Sequence, residues 1–232
     1  MKKRISTSRG SRKGFVAQGA SRYDRHDVYY RRAKEEGWLA RSVYKLEELD
    51  RDFKLIRPGD NVLDLGSAPG SWLQFAERRV HERGGLLVGI DLLPVRLSFG
   101  PHVKVIQGDV FKAELHELLP PGLEVAEDAP APRPFDVVMS DMAPNTTGIR
   151  SVDQARSMAL AERALEVALR VLRPGGRYCV KVFEGGDFAA YLDALRAGFR
   201  TVKVRRPKGV RVGSIETYVV ALDRKRDVEE TP

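Results

Sequence analysis

Asn61-Val-Leu-Asp-Leu-Gly-Ser-Ala-Pro-Gly-Ser-Trp72 decides the fold. A short apolar run, interrupted only by Asp64, ends in a glycine turn, and a helical period follows from about Gly70 to His81. Apolar runs of four to eight residues bounded by turn signals read as buried strands, so the segment is a strand–turn–helix unit. Pro58-Gly59-Asp60 supplies the preceding turn signal. Downstream the alternation repeats. Strands are expected at 86–91, 103–107 and 135–141, an amphipathic helix at 153–172 stopping at Pro174-Gly175-Gly176, a strand at 177–183, a helix at 187–197, and strands near 201–205 and 216–222. Strands alternating with helices predict an α/β fold: a doubly wound, mostly parallel seven-stranded sheet. The loop joining the last two strands is too short for a helical crossover, which makes the C-terminal strand antiparallel. Upstream, Leu39, Val43, Leu46 and Leu49 form a helical stripe over 38–50. Residues 120–134, rich in Pro and acids, read as a surface insertion.

The chain has 232 residues, enough for one domain and a tail. A hydrophobic fraction of 42% supports a packed core, and 31% charged residues argue for a soluble protein. No apolar run approaches the ~20 residues that span a bilayer, and no apolar stretch follows the basic N-terminus as a secretory signal requires. Cys179 is the only cysteine and reads as a small buried hydrophobe; with four scattered His, no metal site is expected. These features place the chain in the cytoplasm.

The net charge of +8 is concentrated. Residues 1–22 carry Lys2, Lys3, Arg4, Arg9, Arg12, Lys13 and Arg22 and no acid, leaving about +1 for the remainder. This Ser/Gly/Arg/Lys-rich segment reads as a disordered arm, residues 23–225 as the globular domain and 226–232 as a tail. A second cluster comprises Arg200, Lys203, Arg205, Arg206, Lys208 and Arg211. Two basic regions on a nearly neutral body point to a polyanionic partner, nucleic acid above all. Trp38, Tyr44 and Tyr29 are candidates for base stacking or, for Tyr44 above all, for packing of the N-terminal helix.

In doubly wound sheets ligands bind beyond the carboxyl ends of the strands, where strand order reverses. Gly66 and Gly70 permit close approach there, but their G-x-x-x-G spacing lacks the second glycine of a dinucleotide turn. Asp64, Asp91 and Asp109 fall at the ends of three consecutive strands. Each alone reads equally well as a turn acid. Together, with no Lys or Arg in the glycine turn, they suit a cationic nucleoside such as S-adenosylmethionine: Asp91 at the ribose hydroxyls, Asp109 at an exocyclic amine, Asp64 near an ammonium. Asp141 ends the fourth strand within Ser140-Asp-Met-Ala-Pro-Asn145. Lys181 lies in the apolar run Cys179-Val-Lys-Val-Phe183, either as a snorkelling side chain or as a functional amine.

With Arg41-Ser-Val-Tyr-Lys-Leu-Glu-Glu-Leu49, Leu63 to Trp72, Asp91-Leu-Leu-Pro94, Gln107-Gly-Asp109, Val138 to Asn145, Val180-Lys-Val-Phe183 and Glu216-Thr-Tyr-Val-Val220 in this order over about 24–222, the sequence resembles the FtsJ/RrmJ family of RNA 2′-O-ribose methyltransferases. The resemblance implies a Rossmann-like class I methyltransferase fold and a catalytic Lys-Asp-Lys-Glu tetrad, falling on Lys45, Asp141, Lys181 and Glu216. Lys45, at the edge of its helical stripe, reads alone as an ordinary snorkelling residue. The cofactor site expected for S-adenosyl-L-methionine comprises Asp64, Gly66, Pro69, Gly70, Trp72, Asp91, Asp109 and Asp141. The implied substrate is RNA, a uridine of the 23S rRNA A-loop in the large ribosomal subunit, and the implied state is a monomer. The alternatives are a tRNA anticodon-loop methyltransferase and a non-catalytic RNA-binding assembly factor. Two departures from the family pattern are Ser71, where a second glycine is usual, and Arg211-Val-Gly-Ser-Ile215 before Glu216, which has fewer Ser-Arg repeats.

Overall fold

A computed structural model describes residues 20–123, 132–210 and 213–226, with side chains from residue 28 onward. The arm up to residue 19, residues 124–131 of the Pro-rich insertion, Arg211 and the tail beyond Arg226 lie outside the described residues.

The elements run α1 (Ala20–Glu35), α2 (Val43–Phe53), β1 (Val62–Leu65), α3 (Ser71–Val80), β2 (Leu87–Asp91), β3 (Val103–Gln107), β4 (Phe135–Ser140), α4 (Arg150–Val171), β5 (Leu172–Phe183), α5 (Phe188–Gly198), β6 (Phe199–Arg205) and β7 (Glu216–Arg224). One seven-stranded sheet has the order β3-β2-β1-β4-β5-β7-β6. All neighbouring pairs are parallel except those of β7, which runs antiparallel to both β5 and β6. The order reverses at β1, which has β2 on one side and β4 on the other.

Side chains alternate across the sheet with period two, and each face packs its own helices. Leu63, Leu65, Val88, Ile90 and Val138 face Ala161, Leu165 and Ala168 of α4 and Leu195 of α5. Val62, Leu87, Val137, Met139, Cys179 and Tyr218 face Leu46 and Leu49 of α2 and Leu73 and Ala76 of α3.

Several boundaries differ from expectation, among them the start of α4 at Arg150, three residues early. Residues 20–22, expected to belong to the disordered arm, open α1, which no sequence signal had indicated. The helix expected from Trp38 begins at Val43, because Trp38 N–H closes α1 on Ala33 O and Leu39 N–H is taken by the Gln74 side chain. The helix expected to end at Leu172 ends at Val171, and β5 begins at Leu172, five residues before the expected strand. Pro174 forbids a continued helix and holds Arg173 extended. The intervening Pro-Gly-Gly is a bulge, with Phe135 facing Leu172 but Val137 facing Arg177.

Candidate active site

The carboxyl ends of β1 to β4 open into a cleft of about 430 Å³ at the strand-order reversal. Gly66 lines it after β1, Asp91 at the end of β2, Asp109 after β3, and Asp141 with Met142 after β4. Asp91 Oδ2 accepts Ala68 N–H at 2.9 Å and Oδ1 accepts Leu93 N–H at 2.8 Å, so this carboxylate ties the glycine turn to the segment after β2. Asp109 Oδ1 accepts Phe111 N–H at 3.0 Å. Leu92, Leu93 and Phe111, all at least half exposed, add apolar walls that sequence reasoning missed. Their signal was position alone: they follow the strand-end acids by one or two residues.

Gly66 is required for two reasons. Its φ is +86°, and a Cβ there would stand 2.5 Å from Met142 Cγ and 3.0 Å from Met142 N. Asp64, Pro69, Gly70 and Trp72 border the glycine turn without lining this cleft themselves. Pro69 O accepts Arg96 N–H, and Gly70 lies under Val95 and Leu39. Trp72 is buried with its Nε1–H on Ser42 O at 3.0 Å and its ring 6.1 Å from that of Tyr218.

Asp64 lies behind the glycine turn on the α2/α3 face. It is fully buried, and among the described residues neither carboxylate oxygen has a hydrogen-bond partner. Burial, together with the nearby carboxylates of Asp141 and Asp91, pushes its carboxyl well above the ordinary range. A buried polar group without a partner is costly, so such a group calls for a ligand or a function.

The four residues of the expected tetrad meet at the neighbouring strand ends. In β5, Cys179 and Lys181 point to the α2/α3 face; in β7, Glu216, Tyr218 and Val220 share it. Lys45 reaches this face from α2, where Leu46 and Leu49 pin the helix to the sheet. Lys45 Nζ lies 2.5 Å from Glu216 Oε1. Lys181 Nζ lies 3.0 Å from Asp141 Oδ1 and donates to Asp141 O at 2.5 Å. Both lysines are over nine-tenths buried. Burial pushes the Asp141 carboxyl up, but Lys181 and Lys45, with hydrogen bonds from Tyr218 and Lys181, outweigh it and hold it below the ordinary range. Two carboxyls of one site are thus driven in opposite directions.

Tyr218 joins the two ion pairs and was missed as a site residue. Its hydroxyl donates to Asp141 Oδ1 at 2.6 Å, and Lys45 Nζ lies 5.5 Å from its ring centre. Burial and the adjacent carboxylates of Asp141 and Glu216 raise its hydroxyl well above the usual value, so it remains a donor. The available signal was its place two residues after Glu216: a tyrosine buried in a strand needs a partner for its hydroxyl.

The aromatic candidates are engaged in packing. Tyr44 is buried against Tyr29 with ring centres 5.5 Å apart, and its hydroxyl donates to Glu36. Trp38 carries Arg78 over its ring at 3.9 Å. Of the second basic cluster, Lys203 and Arg205 lie exposed on edge strand β6, and Arg206 and Lys208 on the loop that follows. That loop is fastened to α2 by Lys208 N–H on Glu48 Oε2 at 2.9 Å and passes close to the Lys45 stem at Gly209. Among the described residues no group of His, Cys, Asp and Glu could hold a metal ion, and no helix is long and apolar enough to cross a membrane.

The model of the FtsJ-like methyltransferase family matches residues 38–224. A protein of Syntrophobacter fumaroxidans called ribosomal RNA large subunit methyltransferase E is 47% identical over 200 residues, 86% of this chain and 96% of the relative. A protein of the same name from Nitratidesulfovibrio vulgaris is 48% identical over 205 residues, 88% and 97% of the two chains. The crystal structure of a putative ribosomal RNA methyltransferase from Plasmodium falciparum superposes with a TM-score of 0.67 at 26% identity, covering 82% of this chain and all of the other.

Proposed function

The chain belongs to the FtsJ-like methyltransferase family, and on that premise we propose that it transfers a methyl group from S-adenosylmethionine to a ribose 2′-hydroxyl of RNA. We propose a uridine of the 23S rRNA A-loop, presented in the large ribosomal subunit, as the target, and a cytoplasmic monomer as the acting form. The names of relatives 47–48% identical over most of this chain support ribosomal RNA over tRNA. The observation that carries the chemistry is the pair of Lys–acid contacts, Lys45–Glu216 and Lys181–Asp141, closing on one another beside the cleft.

The cleft fits the cofactor. Asp64 is a buried acid with unpartnered oxygens, suited to an ammonium. Asp91 and Asp109 each use known lone pairs on backbone N–H groups and retain others for ribose hydroxyls and an adenine amine. Leu92 and Phe111 offer apolar faces for a flat base. Gly66 and Asp141 complete the binding set; Pro69, Gly70 and Trp72 act through the turn, fixing how α3 and the loop after β2 meet. S-adenosylmethionine supplies a methyl group already activated on a sulfonium.

Positioning the hydroxyl supplies much of the rate in such a transfer. In this reading Lys181, held by Asp141, lies against the 2′-hydroxyl and takes its proton, so that the oxygen gains the methyl carbon as the carbon–sulfur bond of the donor breaks. Lys45, held by Glu216, is a second amine that borders the same site. Tyr218 keeps Asp141 ionised and fixed. The 1–22 arm and the β6 edge bind RNA backbone by charge, and residues 23–225 form the catalytic unit. Methylation of purified large subunits, 23S fragments and tRNA, followed by mass-spectrometric mapping of the modified ribose, tests the reading. A modified ribose in 23S rRNA is expected; transfer to tRNA alone, or to no RNA, overturns it.

A further inference from the structure

β4 ends at Ser140, opposite Val180, whereas β5 continues to Phe183. Over its last three residues β5 therefore keeps β7 on one side, through Phe183 opposite Glu216, and among the described residues has no strand neighbour on the other. Lys181 lies within this stretch. The vacated place is taken by α4, where the buried Ser157 Oγ accepts Phe183 N–H at 3.0 Å. One turn earlier, Asp153 grips the segment that leaves β4. Its Oδ1 accepts Thr147 N–H at 2.7 Å and the Thr147 hydroxyl at 2.9 Å, and its Oδ2 accepts Gly148 N–H at 3.1 Å. Two more side chains of the same turns repeat the division. Arg156 Nη1 donates to Asn145 O at 3.2 Å on the β4 branch, and the Gln154 amide donates to Glu184 O on the β5 branch.

Residues four apart on a helix share a face, so Asp153 and Ser157 present one polar edge to two diverging segments. One segment begins with Asp141 and carries Met142 and Ala143 of the cleft wall; the other follows directly from Lys181. We infer that Asp153 and Ser157 are positioning residues for methyl transfer, which fix where the two segments part and thereby set the contact between Asp141 and Lys181. The inference rests on the methyltransferase reading of that contact. Hydrogen bonds from the Thr147 and Gly148 backbone hold the Asp153 carboxyl below its ordinary range, so it stays ionised and gripping at neutral pH.

A residue that acts through Lys181 should lose its effect once Lys181 is gone, whereas a residue that merely stabilises the fold should not. Single-turnover rates at saturating S-adenosylmethionine and RNA are to be measured for Asp153→Asn and Ser157→Ala, in the wild-type and in the Lys181→Ala background, with cofactor affinity by calorimetry and residual methylation followed by mass spectrometry. In the wild-type background each should slow transfer by about 10-fold or more, as misplacement of reacting groups by about 1 Å does. Cofactor Kd should stay within about threefold, and in the Lys181→Ala background the further loss should be below about twofold. Equal losses in both backgrounds, or no loss in the first, overturn the inference. Should Ser157→Ala fail to fold, the isosteric Asp153→Asn carries the test alone. Wild-type protein that methylates no RNA defeats the methyltransferase reading instead, a separate outcome.

Discussion

Lys181 is held at two points by one residue: its Nζ lies 3.0 Å from Asp141 Oδ1 and 2.5 Å from Asp141 O. The amine is thereby fixed relative to both the side chain and the main chain at the end of β4. Lys181→Ala should slow transfer by about 10²-fold or more while sparing cofactor binding, because a general base contributes about 10²–10⁴-fold. Lys181→Arg should not rescue, since guanidinium keeps its proton. Retention of more than about a tenth of the single-turnover rate would show that Lys181 is not the base.

Asp64 should link cofactor binding to proton release. Its carboxyl is raised by burial and by Asp141 and Asp91, and a bound ammonium would stabilise the ionised form and lower it again. Between those two values binding expels a proton, so affinity should increase with pH up to the free-protein value. Calorimetry in buffers of different ionisation enthalpy reads the proton directly, and Asp64→Asn should abolish it and weaken binding. The same shift has a stability consequence of known sign. A carboxyl raised in the folded state favours folding when protonated, and that contribution is lost as pH rises from the unfolded value through the folded one. Asp64→Asn should therefore melt higher than wild type at neutral pH; a lower melting temperature would contradict the assigned environment.

Gly66→Ala should harm both fold and cleft. A left-handed backbone on a non-glycine residue costs about 1–3 kcal/mol, and the new Cβ would also push on Met142. A melting temperature lowered by roughly 2–10 °C is expected for a chain of this size. Because Met142 lines the cleft, cofactor affinity should fall as well. Unchanged affinity would show that Met142 is free to move without cost to the site.

Removal of residues 1–19 leaves α1 whole and takes away six basic side chains, Lys2, Lys3, Arg4, Arg9, Arg12 and Lys13. RNA binding should weaken and its dependence on salt should flatten, by about 0.7 in slope for each single-strand phosphate that the arm no longer neutralises. Melting temperature and single-turnover rate at saturating RNA should hold. An unchanged slope in binding titrations across salt would show that the arm does not touch RNA.

The sequence by itself determined the alternation of strands and helices, the glycine turn, the acids at the strand ends and, through the ordered motifs, the family. These are local properties: an apolar run, a period and a turn residue are written in consecutive positions. It also located Lys45, Asp141, Lys181 and Glu216, but only as points separated by up to 171 positions. Which lysine pairs with which acid was decided by register, with Glu216 opposite Phe183 and Tyr218 opposite Lys181, and by the packing of α2 on that face. Tyr218 as the bridge, Asp64 as a buried acid without a hydrogen-bond partner among the described residues, and Trp72 buried with its Nε1–H on Ser42 O are likewise tertiary facts. The physical reason is that the burial and neighbours of a polar side chain are set by elements distant in sequence, and those two quantities determine what its charge does.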